Sequence, residues 1–140
     1  MNIIEVVTRA RASETEREVT EHYPDATVSF EVRCGRGIIT ACQGRYVVSK
    51  EFVESEESLT DPHLMVEYAQ ILMSKARLVV VVPRHKAAAL RLRMLELNNW
   101  WLFYYQIHYY ENGGRIRRID RQTWRALMSL PPDDLDISVA

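Results

Sequence analysis

The 140-residue chain is short of the residues that announce the commonest site chemistries. Its two cysteines, Cys34 and Cys42, show no C-x-x-C spacing, so neither a zinc site nor a disulfide framework is encoded. They could pair across a hairpin, but the expectation is a pair of reduced core thiols in a cytoplasmic protein. Five glycines and five prolines form no linker or low-complexity stretch, and no internal repeat is visible. The two glycines of "CGRGIIT" lack the Lys-Ser/Thr and the following helix of a phosphate loop. No run approaches the ~20 apolar residues of a membrane helix. The opening "MNIIEVVTRARASETE" has no basic start before a long apolar stretch, so no signal peptide is expected. No serine or cysteine stands in a nucleophile motif. What remains is a chain 47% hydrophobic and 26% charged, the composition of a packed domain long enough for one core.

The net charge of −1 conceals a polarised distribution. Residues 1–77 carry 9 basic and 13 acidic groups, residues 78–130 carry 9 basic and 3 acidic, and residues 131–140 add three aspartates. Fifteen of the eighteen basic residues are arginine, whose planar fork suits bidentate contacts to phosphate or carboxylate.

Hydrophobic periodicity and turn chemistry divide the chain into alternating elements. "SETEREVTEHYP" predicts a helix, with Ser13 and Glu16 in the capping-box relation and Pro24 after its end. The preceding "NIIEVVTRA" reads equally as a strand or as an earlier part of that helix. Residues 26–54 predict an antiparallel three-strand meander broken at Gly35–Gly37 and at "QGR". A helix follows, with Asp61 as N-cap and Pro62 in its first turn. The apolar run "LVVVVP" predicts a strand buried on both faces. "KAAALRLRMLELNN" predicts a helix, "WWLFYYQIHYY" a long aromatic strand, "RIRRI" a short strand and "DRQTWRALMSL" a last helix. The expected fold is a single α/β domain over residues 1–130. It has a mixed central sheet in the order α-β-β-β-α-β-α-β, a short C-terminal helix, and an acidic, disordered tail over residues 131–140. The alternative, if the first segment is a strand, is a ferredoxin-like α+β arrangement.

That order, with "GRYVV" entering the third strand and "ARLVVVVP" after a helix, resembles the core of the restriction-endonuclease-like (PD-(D/E)XK) superfamily over about residues 13–110. The resemblance implies a metal site made by an Asp on the second meander strand and a Glu-X-Lys on the third. The letters "PDATVSFEVR" mimic this signature, but Asp25 and Glu31 lie six residues apart in one extended segment. At ~3.3 Å per residue their α-carbons stand ~20 Å apart, too far to share one ion. On the strands where the family keeps its site there is no acid between Glu31 and Glu51. Ser49 stands where the Glu would be, and Glu51 where the Lys would be. The resemblance is therefore to a member without the catalytic motif. A displaced site, using Glu31, Lys50 and Glu51 or drawing on Glu14 or Glu18, would need Mg or Mn. Without one, no cofactor is expected. His63 and Glu67, with Asp61, have metal-ligand spacing that a solvated helix start explains as well.

Two features carry the functional expectation. Arg115, Arg117, Arg118, Arg121 and Arg125, joined by Arg84 and Arg91 and by Lys86 and Arg93 nearby, would make a phosphate-tracking surface for DNA or RNA. Seven of the thirteen aromatic residues fall within residues 100–110. Alternation there puts Tyr105, Ile107 and Tyr109 on a core face. It puts Trp100, Tyr104, His108 and Tyr110 on a face suited to homodimerisation or to base stacking. The expected function is a non-catalytic nucleic-acid-associated or assembly protein on a nuclease-like fold. The alternatives are a divalent-metal nuclease with a displaced carboxylate site and a ferredoxin-like RNA-binding or protein-interaction module. No membrane partner is expected.

Overall fold

In the computed structural model, which describes residues 2–97 and 105–119, the N-terminal segment is a single helix, α1 (Ile3–His22). It starts at Asn2, whose side-chain oxygen accepts the Glu5 backbone N–H at 2.9 Å, as an N-cap does. The Ser13–Glu16 pair, expected at a helix start, sits in the helix interior instead. The buried stripe of α1 runs Ile4, Val7, Thr8, Arg11, Ala12, Thr15, Val19, at the three-four spacing of one helix face.

Three antiparallel strands follow, β1 (Thr27–Arg33), β2 (Arg36–Gln43) and β3 (Tyr46–Val53). The β1–β2 connection is the two residues Cys34 and Gly35, with φ of 53° and 74°. Positive φ at both central positions is the requirement of a type I′ hairpin. Both cysteines are free, but Cys34 is exposed at this turn and Cys42 half-buried at the far end of β2, so neither is a core thiol.

Beyond the meander come α2 (Leu64–Met73), β4 (Arg77–Pro83), α3 (Ala87–Leu95), β5 (Tyr105–Tyr110) and β6 (Ile116–Arg118). Asp61 lies ahead of α2, its carboxylate accepting the His63 N–H at 2.9 Å. The six strands are ordered β1-β2-β3-β4-β5-β6, with β3, β4 and β5 parallel and β6 antiparallel to β5. This is the expected α/β domain on a mixed sheet. Helix α1 and the leading meander are not the ferredoxin-like alternative. The expected C-terminal helix and acidic tail lie outside the described residues.

Each face of the sheet has its own core. Phe52, Leu78, Val80, Val82, Ile107 and Tyr109 pack with Tyr68 of α2 and Leu90 and Met94 of α3. Ile39, Val53, Val79, Val81 and Tyr110 pack with Ile4, Val7 and Ala12 of α1. The apolar run of β4 is thus divided residue by residue between the two layers, as a strand covered on both faces requires. At Gly37 the β2 backbone comes so close to Thr8 that a β-carbon would fall 1.9 Å from the Thr8 hydroxyl, so the α1–β2 contact depends on a glycine there.

Candidate functional site

Two glutamates at the end of β3 are fully buried, Glu51 toward α1 and Glu54 toward α2. A buried carboxylate needs cations and hydrogen-bond donors around it, and each of these has them. The Glu51 carboxylate accepts Arg11 Nε at 2.6 Å, Thr15 Oγ1 at 2.7 Å, Arg77 Nη2 at 3.0 Å and Ser49 Oγ at 3.3 Å. Arg11 and Arg77 both reach Glu18, and Arg11 also reaches Glu14 at 3.0 Å. Burial works against the charge of Arg11, whose side chain is 1% exposed, but Glu51 and then Glu18 outweigh it and raise its pKa. Glu18 is pulled below the usual carboxylate range: burial opposes this, and hydrogen bonds and charge from Arg11 and Arg77 prevail.

Glu54 is held differently. Arg36 grips it through Nε at 2.7 Å and Nη2 at 2.9 Å, a bidentate pair, and reaches Glu67 at 2.7 Å. The Tyr68 hydroxyl donates to the same carboxylate at 2.6 Å. Burial, then the Glu54 charge, push the Tyr68 phenol well above its ordinary pKa, so it remains a donor. The Arg36 guanidinium stacks over the Phe52 ring, 4.4 Å from its centroid.

The residues of the displaced nuclease site do not come together. Glu51 faces α1. Lys50, the next residue, points to the opposite face, where its ammonium donates to Thr40. Glu31 lies on the outermost strand, 57% exposed and 3.6 Å from Arg33. Asp25, in the turn before β1, shares no site with Glu31. The carboxylates that do converge are Glu14, Glu18 and Glu51, from α1 and β3, and two guanidinium groups stand among them. Glu67, which has metal-ligand spacing to His63, is taken by Arg36. Among the described residues no group of three or more His, Cys, Asp or Glu side chains is arranged to hold a metal ion.

The arginines separate into two sets. Arg115, Arg117 and Arg118 are exposed at the edge strand β6 and the turn before it. Arg117 pairs in register with Tyr109 and Arg118 with His108, so they lie on opposite faces of the edge. Arg84 joins the Arg117 side, its guanidinium 5.7 Å from the Tyr109 ring centroid and 3.2 Å from Glu111. Arg91 is half-buried on α3, close enough to bear on the Tyr105 phenol, and does not belong to the exposed set. Arg121 and Arg125 lie outside the described residues.

The aromatic strand corrects the expected interface. β5 is an interior strand between β4 and β6, and its second face is covered by the α1 layer. His108 and Tyr110 are 4% and 7% exposed, so neither is offered to a second chain. Tyr110 donates its hydroxyl to the Glu54 carbonyl at 2.9 Å. Burial, then Arg11, with Arg118 and Arg77, push His108 down to about 3. Trp100 and Tyr104 lie outside the described residues.

A cavity of about 580 Å³ opens at the carboxyl ends of β3, β4 and β5, between Asn2, Glu56, His85, Tyr110 and Asn112. Glu56 pairs with the His85 ring across its mouth. Among the described residues its lining holds Glu56 and Glu57 and no arginine, a poor environment for phosphate. Sequence reasoning missed Arg11, Arg36, Arg77 and the Glu56–His85 pair. The available signal was two glutamates, Glu51 and Glu54, bracketing the apolar pair Phe52 and Val53 at the end of β3. No protein-family model, curated protein or solved structure matches the chain.

Proposed function

We propose that this domain is a non-catalytic nucleic-acid-associated protein, built on a nuclease-like core whose carboxylates are occupied by its own arginines. Glu14, Glu18 and Glu51 converge from the first helix and the third strand, and Arg11 and Arg77 fill the space between them with hydrogen-bonded positive charge. Metal-assisted phosphodiester chemistry needs those carboxylates free to bind a divalent ion beside a group that polarises water. Lys50, on the other face of the sheet, does not supply that group here.

The observation that carries the nucleic-acid reading is the arginine-bearing edge. Arg115, Arg117 and Arg118 are exposed, while Arg11, Arg36 and Arg77 are engaged by internal glutamates. An edge strand with guanidinium groups on both faces can follow a phosphate backbone without reading bases, which gives salt-sensitive and sequence-tolerant binding. The test is fluorescence anisotropy with labelled single- and double-stranded DNA and RNA over a salt titration. Arg115→Ala, Arg117→Ala and Arg118→Ala each leave one phosphate without its cation, and each should lower the log–log salt slope by about 0.7–0.9. No binding at low salt removes nucleic acid from the account. Manganese-dependent cutting of the strand, abolished by Glu51→Gln, replaces this reading by the nuclease.

A further inference from the structure

The free edge of the sheet at β1 is built differently from the edge at β6. β6 is three residues long, two of them exposed arginines, and charge on a short edge discourages strand addition. β1 is seven residues long, has no proline and no lysine, and pairs with β2 in unbroken register from Thr27 to Arg33; the shift between Ala41 and Cys42 belongs to the β2–β3 pairing. Among the described residues its outer side carries no strand. Phe30 is 42% exposed and Val32 36% exposed, on the face of β1 that also carries Val28. Arg9 lies over the Phe30 ring, 5.7 Å from its centroid, and leaves the rest of it open.

We infer that β1 is the self-association edge of this protein, pairing antiparallel with β1 of a second copy so that the two sheets join into one of twelve strands. The sequence of the strand, Thr-Val-Ser-Phe-Glu-Val-Arg, supports a second copy over a foreign strand because its pattern is self-complementary about Phe30. A twofold axis perpendicular to the sheet keeps both α1 helices on the same side and allows only pairings that match like-facing residues. With the axis at Phe30 all seven residues are paired. Phe30 meets its own mate, Val28 meets Val32, Ser29 meets Glu31 and Thr27 meets Arg33. Apolar residues meet apolar ones on the α1 face, and no like charges stand directly opposite. Shifting the axis to Glu31 would set two carboxylates face to face and shorten the pairing, and shifting it to Ser29 also shortens it. The inference relocates self-association from the aromatic strand, whose second face is already buried, to the one long edge whose main chain is unpaired among the described residues.

The experiment is the mass of the full chain in solution by light scattering over a concentration series, with circular dichroism to confirm folding. Wild-type protein is expected at twice the chain mass. Phe30→Lys, which places two ammonium groups on the twofold axis, is expected at the mass of one chain with unchanged secondary structure. As a register test that does not depend on weakening the dimer, Phe30→Cys in a Cys34→Ser, Cys42→Ser background should form an intermolecular disulfide on mild oxidation. Directly opposed α-carbons lie ~4.5–5.5 Å apart, within disulfide range. Val32→Cys in the same background should not, because Val32 faces Val28. Wild-type protein of single-chain mass at every concentration overturns the inference, whether the edge takes a foreign strand or none. A dimer that survives Phe30→Lys overturns it as well. A dimer broken by Phe30→Lys but linked through Val32→Cys overturns the register at Phe30.

Discussion

Glu51 and Glu54, three residues apart on the chain, are equally buried, yet the sheet turns them toward two different solutions to the same electrostatic problem. On the α1 side two arginines and two further glutamates surround Glu51. On the α2 side a single arginine among the described residues grips Glu54, assisted by a phenol that burial and the carboxylate's own charge keep protonated. One network is redundant in cations and the other is not. That difference, rather than the number of hydrogen bonds, should govern what each tolerates.

The largest contrast is expected from removing one arginine on each side. Arg36→Met takes away the one cation seen on Glu54, and with it the stack on Phe52 and the pair with Glu67. An uncompensated buried carboxylate costs about 3–5 kcal/mol. Arg11→Met leaves Glu51 with Arg77 at 3.0 Å and Thr15 at 2.7 Å, and leaves Glu18 with Arg77. The loss there should be about 1–3 kcal/mol, the range for hydrogen bonds removed around a group that keeps others. Urea denaturation of both variants measures this directly. Equal losses, or a larger loss at Arg11, would break the comparison, because redundancy in cations would then not be what protects Glu51.

A second consequence belongs to the α1 side alone. Arg11, Arg77 and Arg118 act together on His108 from α1, β4 and β6, with Glu18 opposing them, and burial is the largest cause of its low pKa of about 3. An unfolded histidine titrates near 6.5. Between those values the unfolded chain holds the proton and the folded one does not, so stability is full above pH 6.5 and falls on acidification. Each pH unit is worth about 1.4 kcal/mol, giving about 2–3 kcal/mol by pH 4.5. Glu18, whose pKa is lowered, adds its own loss only as the pH falls below about 4.5. His108→Gln should therefore flatten the stability profile between pH 6.5 and 4.5 and leave the steeper acid limb. An unchanged slope in that variant would place the pH sensitivity elsewhere.

These arginines explain why the fold was more legible than the site. The apolar run of β4 and the turn residues of the meander are local signals, and they place the elements where the structure has them. The start of α1 was ambiguous for a physical reason: its buried stripe contains Thr8, Arg11 and Thr15, which hydrophobic periodicity counts as polar. What makes Arg11 and Thr15 buried residues is Glu51, forty and thirty-six positions away. Arg77 likewise meets Glu18 across fifty-nine positions. No local pattern carries such pairings. The exposed arginines of β6, clustered in sequence, were visible for the opposite reason. The same locality misled at β5, where alternation assigned the faces correctly but could not foresee that α1 would cover the second one.

The smallest expected effect tests where each network ends. Glu14 and Glu67 are the outer members of the two sides, 39% and 40% exposed, at 3.0 Å from Arg11 and 2.7 Å from Arg36. Water screens an ion pair so placed, and about 0–1 kcal/mol is the usual worth of one. Glu14→Gln leaves Arg11 bonded to Glu18 and Glu51, and Glu67→Gln leaves Arg36 bonded to Glu54, so neither change strands a buried charge. Both variants should shift the urea midpoint little, and the shift should shrink further in high salt, where exposed pairs are screened and buried ones are not. The α2 side holds the more informative member. If Glu67→Gln costs as much as Arg36→Met, then Glu67 is what positions Arg36 for its bidentate grip on Glu54, and the α2 network extends to the surface as one unit. If it costs no more than Glu14→Gln, the two networks differ only at their buried cations, and Arg36 alone carries the difference.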